Sequence, residues 1–146
     1  MKTNPRTRMR SHPMAENPSN PIIPYLLYND VRAALGFLER AFGFEPYGDA
    51  VSGPDGNVSH AAMKLGEGVV MMGCPGPDYQ NPRQLGHVTH SLYVMVDNVD
   101  QHFEQARRAG AEVLEEPHET EYGARRYGAV DPEGHHWYFA QHTERR

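Results

Sequence analysis

Apolar and polar positions along this chain change period several times, and each change marks an element. "PIIPYLLY" (residues 21–28) is a short run of branched and aromatic residues that predicts a strand. In the following "DVRAALGFLERAFG", Val31, Leu35, Leu38 and Phe42 recur at helical spacing. Asn29 and Asp30 offer caps there, and Gly43 is placed as the stop. "FEPYGDAV", "NVSHAAMKLG" and "GVVMMG" read as three strands separated by Gly and Pro turns. The predicted order is β-α-β-β-β.

Residues 74–88, "CPGPDYQNPRQLGHV", have the Pro, Gly, Asn and Asp content of a linker. The pattern then restarts. "HSLYVMV" predicts a strand, and "DNVDQHFEQARRAG" a helix with Asn98 and Gln101 as a capping box and Gly110 as the stop. "AEVLEEPHE", "RRYGAVD" and "HHWYFAQH" complete three more strands. At a constant offset of 68 positions Ile23 falls on Ser91, Tyr25 on Tyr93 and Val31 on Val99. One small sheet with one helix buries little area, so neither half is expected to fold well alone. The organisation read from this is an N-terminal tail (1–20) and one α+β domain (21–143). Within it, module 1 spans 21–73, the linker 74–88 and module 2 89–143.

Composition narrows the class. The 146 residues are 38% hydrophobic and 23% charged, which suits a globular domain. No apolar run is long enough to cross a bilayer, and the first twenty residues lack the apolar core of a secretory signal. Fourteen basic against nineteen acidic residues leave a net charge of −5, which repels nucleic-acid phosphates. The lone Cys74 rules out an internal disulfide and fits a cytoplasmic protein. Neither membrane nor nucleic acid is an expected partner.

Common chemical signatures are missing. There is no HExxH, CxxC or paired Cys/His pattern, and "LGEGVV" lacks the lysine and spacing of a phosphate loop. Cys74 shows no activating neighbour in sequence.

The duplicated plan resembles the vicinal oxygen chelate superfamily, which includes glyoxalase I, extradiol dioxygenases and bleomycin resistance proteins. The resemblance covers about residues 20–142. It is carried by "IIPYLLYNDVRAALGFLERAFGF", "VSHAAMKLGEGVVMM", "HSLYVMVDNVDQHFEQARRAGAEV" and, most specifically, "YGARRYGAVDPEGHHWYF". It implies a glyoxalase-like open barrel of two βαβββ modules around a cup, and a homodimer. Metal-bearing relatives carry one ligand on the first and last strand of each module. The matching positions here are Ile23, Ser91 and Tyr138, with Val70, Met71 or Met72 on the fourth strand. None is a carboxylate or an imidazole, so the resemblance favours members that work without a metal or other cofactor.

Side chains alternate along a strand, so if Tyr138 faces the cup, His136 does too and His135, Trp137 and Phe139 turn away. By the same parity Ser91, Tyr93 and Met95 face the cup. The expected ligand-binding set is Ile23, Tyr25, His60, Met71, Ser91, Tyr93, Met95, Arg125, His136 and Tyr138, with Leu27 beside them. His60 is either a pocket group or a histidine at a sheet rim. Arg125 either clamps a ligand carboxylate or holds its own loop through Glu119 or Glu121. His87, His102, His118 and His142 read as surface residues.

Apolar walls with a few polar tips suit a small hydrophobic or aromatic ligand, although the same residues could simply fill the cup as core. The function expected is metal-independent sequestration of an aromatic metabolite or antibiotic. The alternative is a metal-dependent lyase, dioxygenase or epimerase whose ligands have moved, for example to His60, His136 and Glu67.

Overall fold

The computed structural model describes residues 20–143. The expected tail therefore lies outside the described residues, apart from Asn20. The described chain forms two compact units, one of residues 20–35 and 44–79, the other of residues 36–43 and 80–143. The boundary differs from the expected modules, because the second half of the first helix belongs to the second unit.

In the first unit the strands are β1 (Tyr25–Leu27), β2 (Glu45–Pro46), β3 (Val51–Ser52), β4 (Val58–Leu65) and β5 (Gly68–Gly73). The sheet order is β1-β5-β4-β2, with β3 also paired to β4. β1 runs parallel to β5, with Tyr25 opposite Met71 and Leu27 opposite Gly73. The predicted first strand is shorter than its apolar run because Pro21 and Pro24 have no N–H to give a ladder. The predicted second strand is broken into β2 and β3. Pro46 removes a donor, and Gly48 takes a left-handed φ of 79° between the two pieces.

Helix α1 (Val31–Phe42) buries Val31, Ala34, Phe37, Leu38, Ala41 and Phe42, a stripe at the 3.6-residue period. The Asp30 carboxylate caps it by accepting from the Ala33 N–H at 3.0 Å. Gly43 ends it with φ 79°.

The second unit repeats the topology. Its strands β6 (Leu92–Met95), β7 (Glu112–Glu119), β8 (Ala124–Val130) and β9 (His136–His142) lie in the order β6-β9-β8-β7, with β6 parallel to β9. Helix α3 (Val99–Arg108) joins the first two. Asn98 accepts from the Gln101 N–H at 3.0 Å, which is half of the capping box expected there. The Val99 N–H is taken by the Gln141 side chain from β9. A complete box forms instead on α2 (Pro82–Leu85), a short helix inside the predicted linker: Asn81 and Gln84 exchange hydrogen bonds. That helix is tied down. Arg83 donates to the backbone carbonyls of Asp131 and Pro132, and its own N–H donates to the Glu133 carbonyl at 3.0 Å.

One face of the second sheet is a packed aromatic core. The Phe139 ring lies 4.6 Å from Phe42 and 4.3 Å from His102, both tilted, and stacks on Tyr127 at 5.3 Å, centroid to centroid. Trp137, Tyr127 and Phe139 are fully buried there. His102 is part of this core rather than a surface residue as expected. Its Nδ1 lies 2.6 Å from the Tyr127 hydroxyl and its Nε2 2.8 Å from the Phe42 carbonyl. Burial holds the His102 imidazole below its ordinary pKa, only partly offset by the Phe42 hydrogen bond. A neutral ring fits both contacts, with Nε2–H donating to Phe42 and Nδ1 accepting from Tyr127.

Candidate functional site

The opposite face of the second sheet carries the polar chemistry. The observed registers are Tyr93 opposite Tyr138, Tyr138 opposite Gly128, and Met95 and Arg126 both opposite Ala140. Alternation therefore places Tyr93, Met95, Arg126, His136 and Tyr138 on one face. Tyr93 and Met95 are each 47% exposed, whereas their neighbour Leu92 is buried. The face is a floor of tyrosine rings rather than a filled core.

A glycine makes the floor flat. A Cβ added at Gly128 would come within 2.7 Å of the Tyr138 Cε1, so the ring lies directly over the backbone there. The Arg126 guanidinium sits over the Tyr138 ring, 5.0 Å from its centroid. Arg126 Nε donates to Glu115 Oε1 at 2.8 Å, and Nη1 donates to the Tyr122 hydroxyl at 3.0 Å. The Tyr93 hydroxyl lies 3.0 Å from the same Tyr122 oxygen. Glu115 Oε1 is also 3.5 Å from Nε2 of His118 on β7, a surface histidine whose side chain is 43% exposed. The Tyr93 hydrogen bond holds the Tyr122 phenol below its ordinary pKa, with the Arg126 charge acting in the same direction. Tyr93 moves up, chiefly through burial and then through the hydrogen bond to Tyr122.

Arg125 points the other way. Its Nε and Nη2 donate to the two carboxylate oxygens of Asp100 on α3, both at 3.0 Å, and its Nη1 lies 3.4 Å from Glu119. Of the two roles left open by the sequence, the pairing with Glu119 is the one observed, and Asp100 is a partner that spacing did not offer. Arg126, absent from the expected set, is the arginine on the tyrosine face.

In the first unit the Tyr25 hydroxyl lies 2.9 Å from His60 Nδ1. The Tyr25 ring crosses Gly73, where a Cβ would meet its hydroxyl oxygen at 2.6 Å. Met71 lies beside Tyr25 on the same face, whereas Val70 and Met72 are buried on the other. Of the three candidates on β5, Met71 is the one that shares the face of Tyr25. Ile23 is half-buried and Ser91 exposed, each just before its module's first strand.

A cavity of about 790 Å³ also lies in the first unit, lined in part by Asp30, Arg32, Asp55, Asn57, Ser59 and Cys74. None of the expected site residues lines it. Asp55 there is spent on its own turn, accepting from the Asn57 backbone and side chain. The two tyrosine faces therefore remain the better sites.

The positions that the resemblance matches to metal ligands hold Ile23, Ser91 and Tyr138, with Val70, Met71 or Met72 on β5, of which Met71 shares the face of Tyr25. A hydrocarbon, a thioether and two neutral hydroxyls do not fit a divalent ion. No group of three or more His, Cys, Asp or Glu that could hold a metal occurs among the described residues. No helix among the described residues is long and apolar enough to cross a membrane.

Comparison with known proteins fits this geometry. The family model described as "Glyoxalase/Bleomycin resistance protein/Dioxygenase superfamily" matches residues 20–139. Uncharacterized protein Rv0887c of Mycobacterium tuberculosis is 35% identical over 135 residues, covering 88% of this chain and 78% of that protein. The crystal structure of TioX from Micromonospora sp. ML1 is 33% identical with a TM-score of 0.67, covering 83% of this chain and 97% of that one. The fosfomycin resistance protein FosX from Listeria monocytogenes shares the fold at 16% identity, with a TM-score of 0.64 over 86% of this chain and 94% of that one.

Proposed function

This chain belongs to the Glyoxalase/Bleomycin resistance protein/Dioxygenase superfamily, and from that premise we propose that it binds a small aromatic or hydrophobic molecule, a metabolite or antibiotic, without a metal. The observation that carries the reading is the floor made by exposed Tyr93 and half-buried Tyr138, with Arg126 fixed over the latter. Tyrosine rings offer a large flat contact at small entropic cost, and the few polar tips orient what lies on them. Side chains unsuited to a divalent ion at the family's ligand positions support sequestration over metal-assisted chemistry.

The functional form under this proposal is a homodimer in the cytoplasm. β1 and β6 are end strands of their sheets, and Ile22, Tyr25 and Leu27 are exposed around the first of them, which supports self-association. The lone Cys74 fits a reducing compartment.

Calorimetric titration with planar aromatics such as naphthalene tests the reading, together with elemental analysis of the native protein. Trp137 is a poor reporter of such binding because it is fully buried on the other face of the sheet. Saturable binding lost in Y93A and Y138A is the expected result. A stoichiometric divalent metal, or affinity unchanged in both variants, would overturn it.

A further inference from the structure

The Tyr93, Tyr122 and Arg126 cluster does more than decorate the floor. Two groups from different strands, the Arg126 Nη1 donor and the Tyr93 hydroxyl, each lie 3.0 Å from one phenol oxygen. That oxygen belongs to Tyr122, which is 63% exposed and sits in the turn between β7 and β8. The base of the turn is clamped: Thr120 N–H donates to the Ala124 carbonyl at 2.8 Å, and Ala124 N–H donates to Thr120 Oγ1 at 3.1 Å. Gly123 at the tip has φ 86°, so the turn closes sharply just beyond the tyrosine. Tyr122 therefore hangs from a fixed base, attached to the floor through its hydroxyl.

Arg126, by contrast, is immobilised. Glu115 fixes its Nε and Tyr138 supports its plane from beneath. A guanidinium has five N–H groups, and two are used here. Apart from the Tyr93 hydroxyl, which also interacts with the guanidinium, the remaining N–H groups on Nη1 and Nη2 have no protein partner among the described residues. A brace for a surface turn would need none of these. A pre-positioned seat for an incoming oxygen would use them.

We propose that the Tyr122 phenol is an internal stand-in for the ligand, and that Arg126 and Tyr93 form a two-donor seat for the phenolate oxygen of a hydroxylated aromatic molecule that displaces it. The inference rests on the reading of this face as a ligand surface and names the chemical class that the surface selects. Displacement costs the protein the two exposed hydrogen bonds to the Tyr122 oxygen. An incoming phenolate gains the same two donors plus the unspent N–H groups of Arg126.

The test is a titration of 4-nitrophenol, followed by absorbance and calorimetry, into wild type, Y122F and Y122A. Removing the internal competitor should tighten binding about five- to twentyfold in Y122A, with Y122F between it and wild type. Adding R126Q or Y93F to Y122A should loosen binding about tenfold each. The methyl ether 4-nitroanisole should bind all variants alike. Thermal melts establish that each variant folds, which the exposure of Tyr122 favours. Equal or weaker 4-nitrophenol binding in Y122A overturns the inference, as does indifference to R126Q and Y93F. A change of oligomeric state in Y122A without a gain in 4-nitrophenol affinity would assign the face to a second copy and also overturn it. Naphthalene titrated in parallel separates the two proposals. If it binds wild type and 4-nitrophenol gains nothing, only the phenolate seat falls; if it does not bind, the ligand surface falls as well.

Discussion

The indole of Trp137 donates to Asp131 Oδ2 at 3.1 Å, across the turn "DPEGH" that precedes β9. The other carboxylate oxygen accepts the backbone N–H groups of Glu133 and His135, at 3.0 Å each. Asp131 is 1% exposed, so one buried carboxylate ties the turn to the aromatic core. Asp131→Ala leaves three donors short of an acceptor and should cost about 3 kcal/mol or more. Urea unfolding measures it. A loss below about 1 kcal/mol would mean the turn holds without its carboxylate.

His102 gives stability a pH dependence. Its folded pKa is lowered by burial, so the neutral ring is the stable native form. A group depressed in this way contributes stability that is present above its unfolded value, about 6.5, and lost as pH falls toward the folded value. The urea midpoint should therefore drop between pH 7 and pH 5, with a slope of up to about 1.4 kcal/mol per pH unit. His102→Gln, less stable at neutral pH, should show a flatter profile over that range. An equal slope in wild type and variant would exclude His102 as the source.

Gly128→Ala should lift the Tyr138 ring, because the new Cβ has only 2.7 Å to the nearest ring carbon. A crowding cost of about 1–3 kcal/mol is expected. Aromatic binding should weaken with it, because the floor is no longer flat. Gly73→Ala is the counterpart in the first unit, where the Tyr25 hydroxyl is 2.6 Å away and the Ser59 carbonyl 3.0 Å. Loss of stability without loss of affinity in Gly128→Ala would separate the ring's position from binding.

The neighbouring arginines should behave oppositely. Arg125→Ala removes part-exposed pairs to Asp100 and Glu119 and should cost less than about 1 kcal/mol, with ligand affinity unchanged. Arg126→Ala should leave the melting temperature within a few degrees of wild type but weaken binding of acidic aromatics about tenfold or more. Binding that responds to Arg125 and ignores Arg126 would reverse the assignment.

These predictions also mark how far the sequence could be read. Alternation from Tyr138 put Tyr93, Met95 and His136 on one face because a strand's period is two whatever its partners. The βαβββ order was legible because Gly and Pro punctuate the apolar runs. The resemblance points to Arg125, which matches an arginine common in the family, but parity on β8 depends on the turn that joins it to β9. That turn sets Gly128 opposite Tyr138, and residue spacing alone did not give that register. His102 was read as a surface residue although it lies three positions after Val99 and four before Ala106, both buried, so the helical stripe held the signal. The four-residue α2 escaped because a single capped turn amid prolines looks like any other loop until Arg83 is seen docked on 131–133.

The division of α1 between the two units sets a rule for exchanging parts with relatives. Phe42 precedes the linker yet packs against Trp137 and Phe139, which lie well after it. A chimera joined in the linker would carry one homologue's Phe42 position into another homologue's aromatic set. Hybrids should therefore tolerate a crossover near residue 80 only when the parent supplying position 42 carries a residue there that fits the other parent's positions 102, 127, 137 and 139.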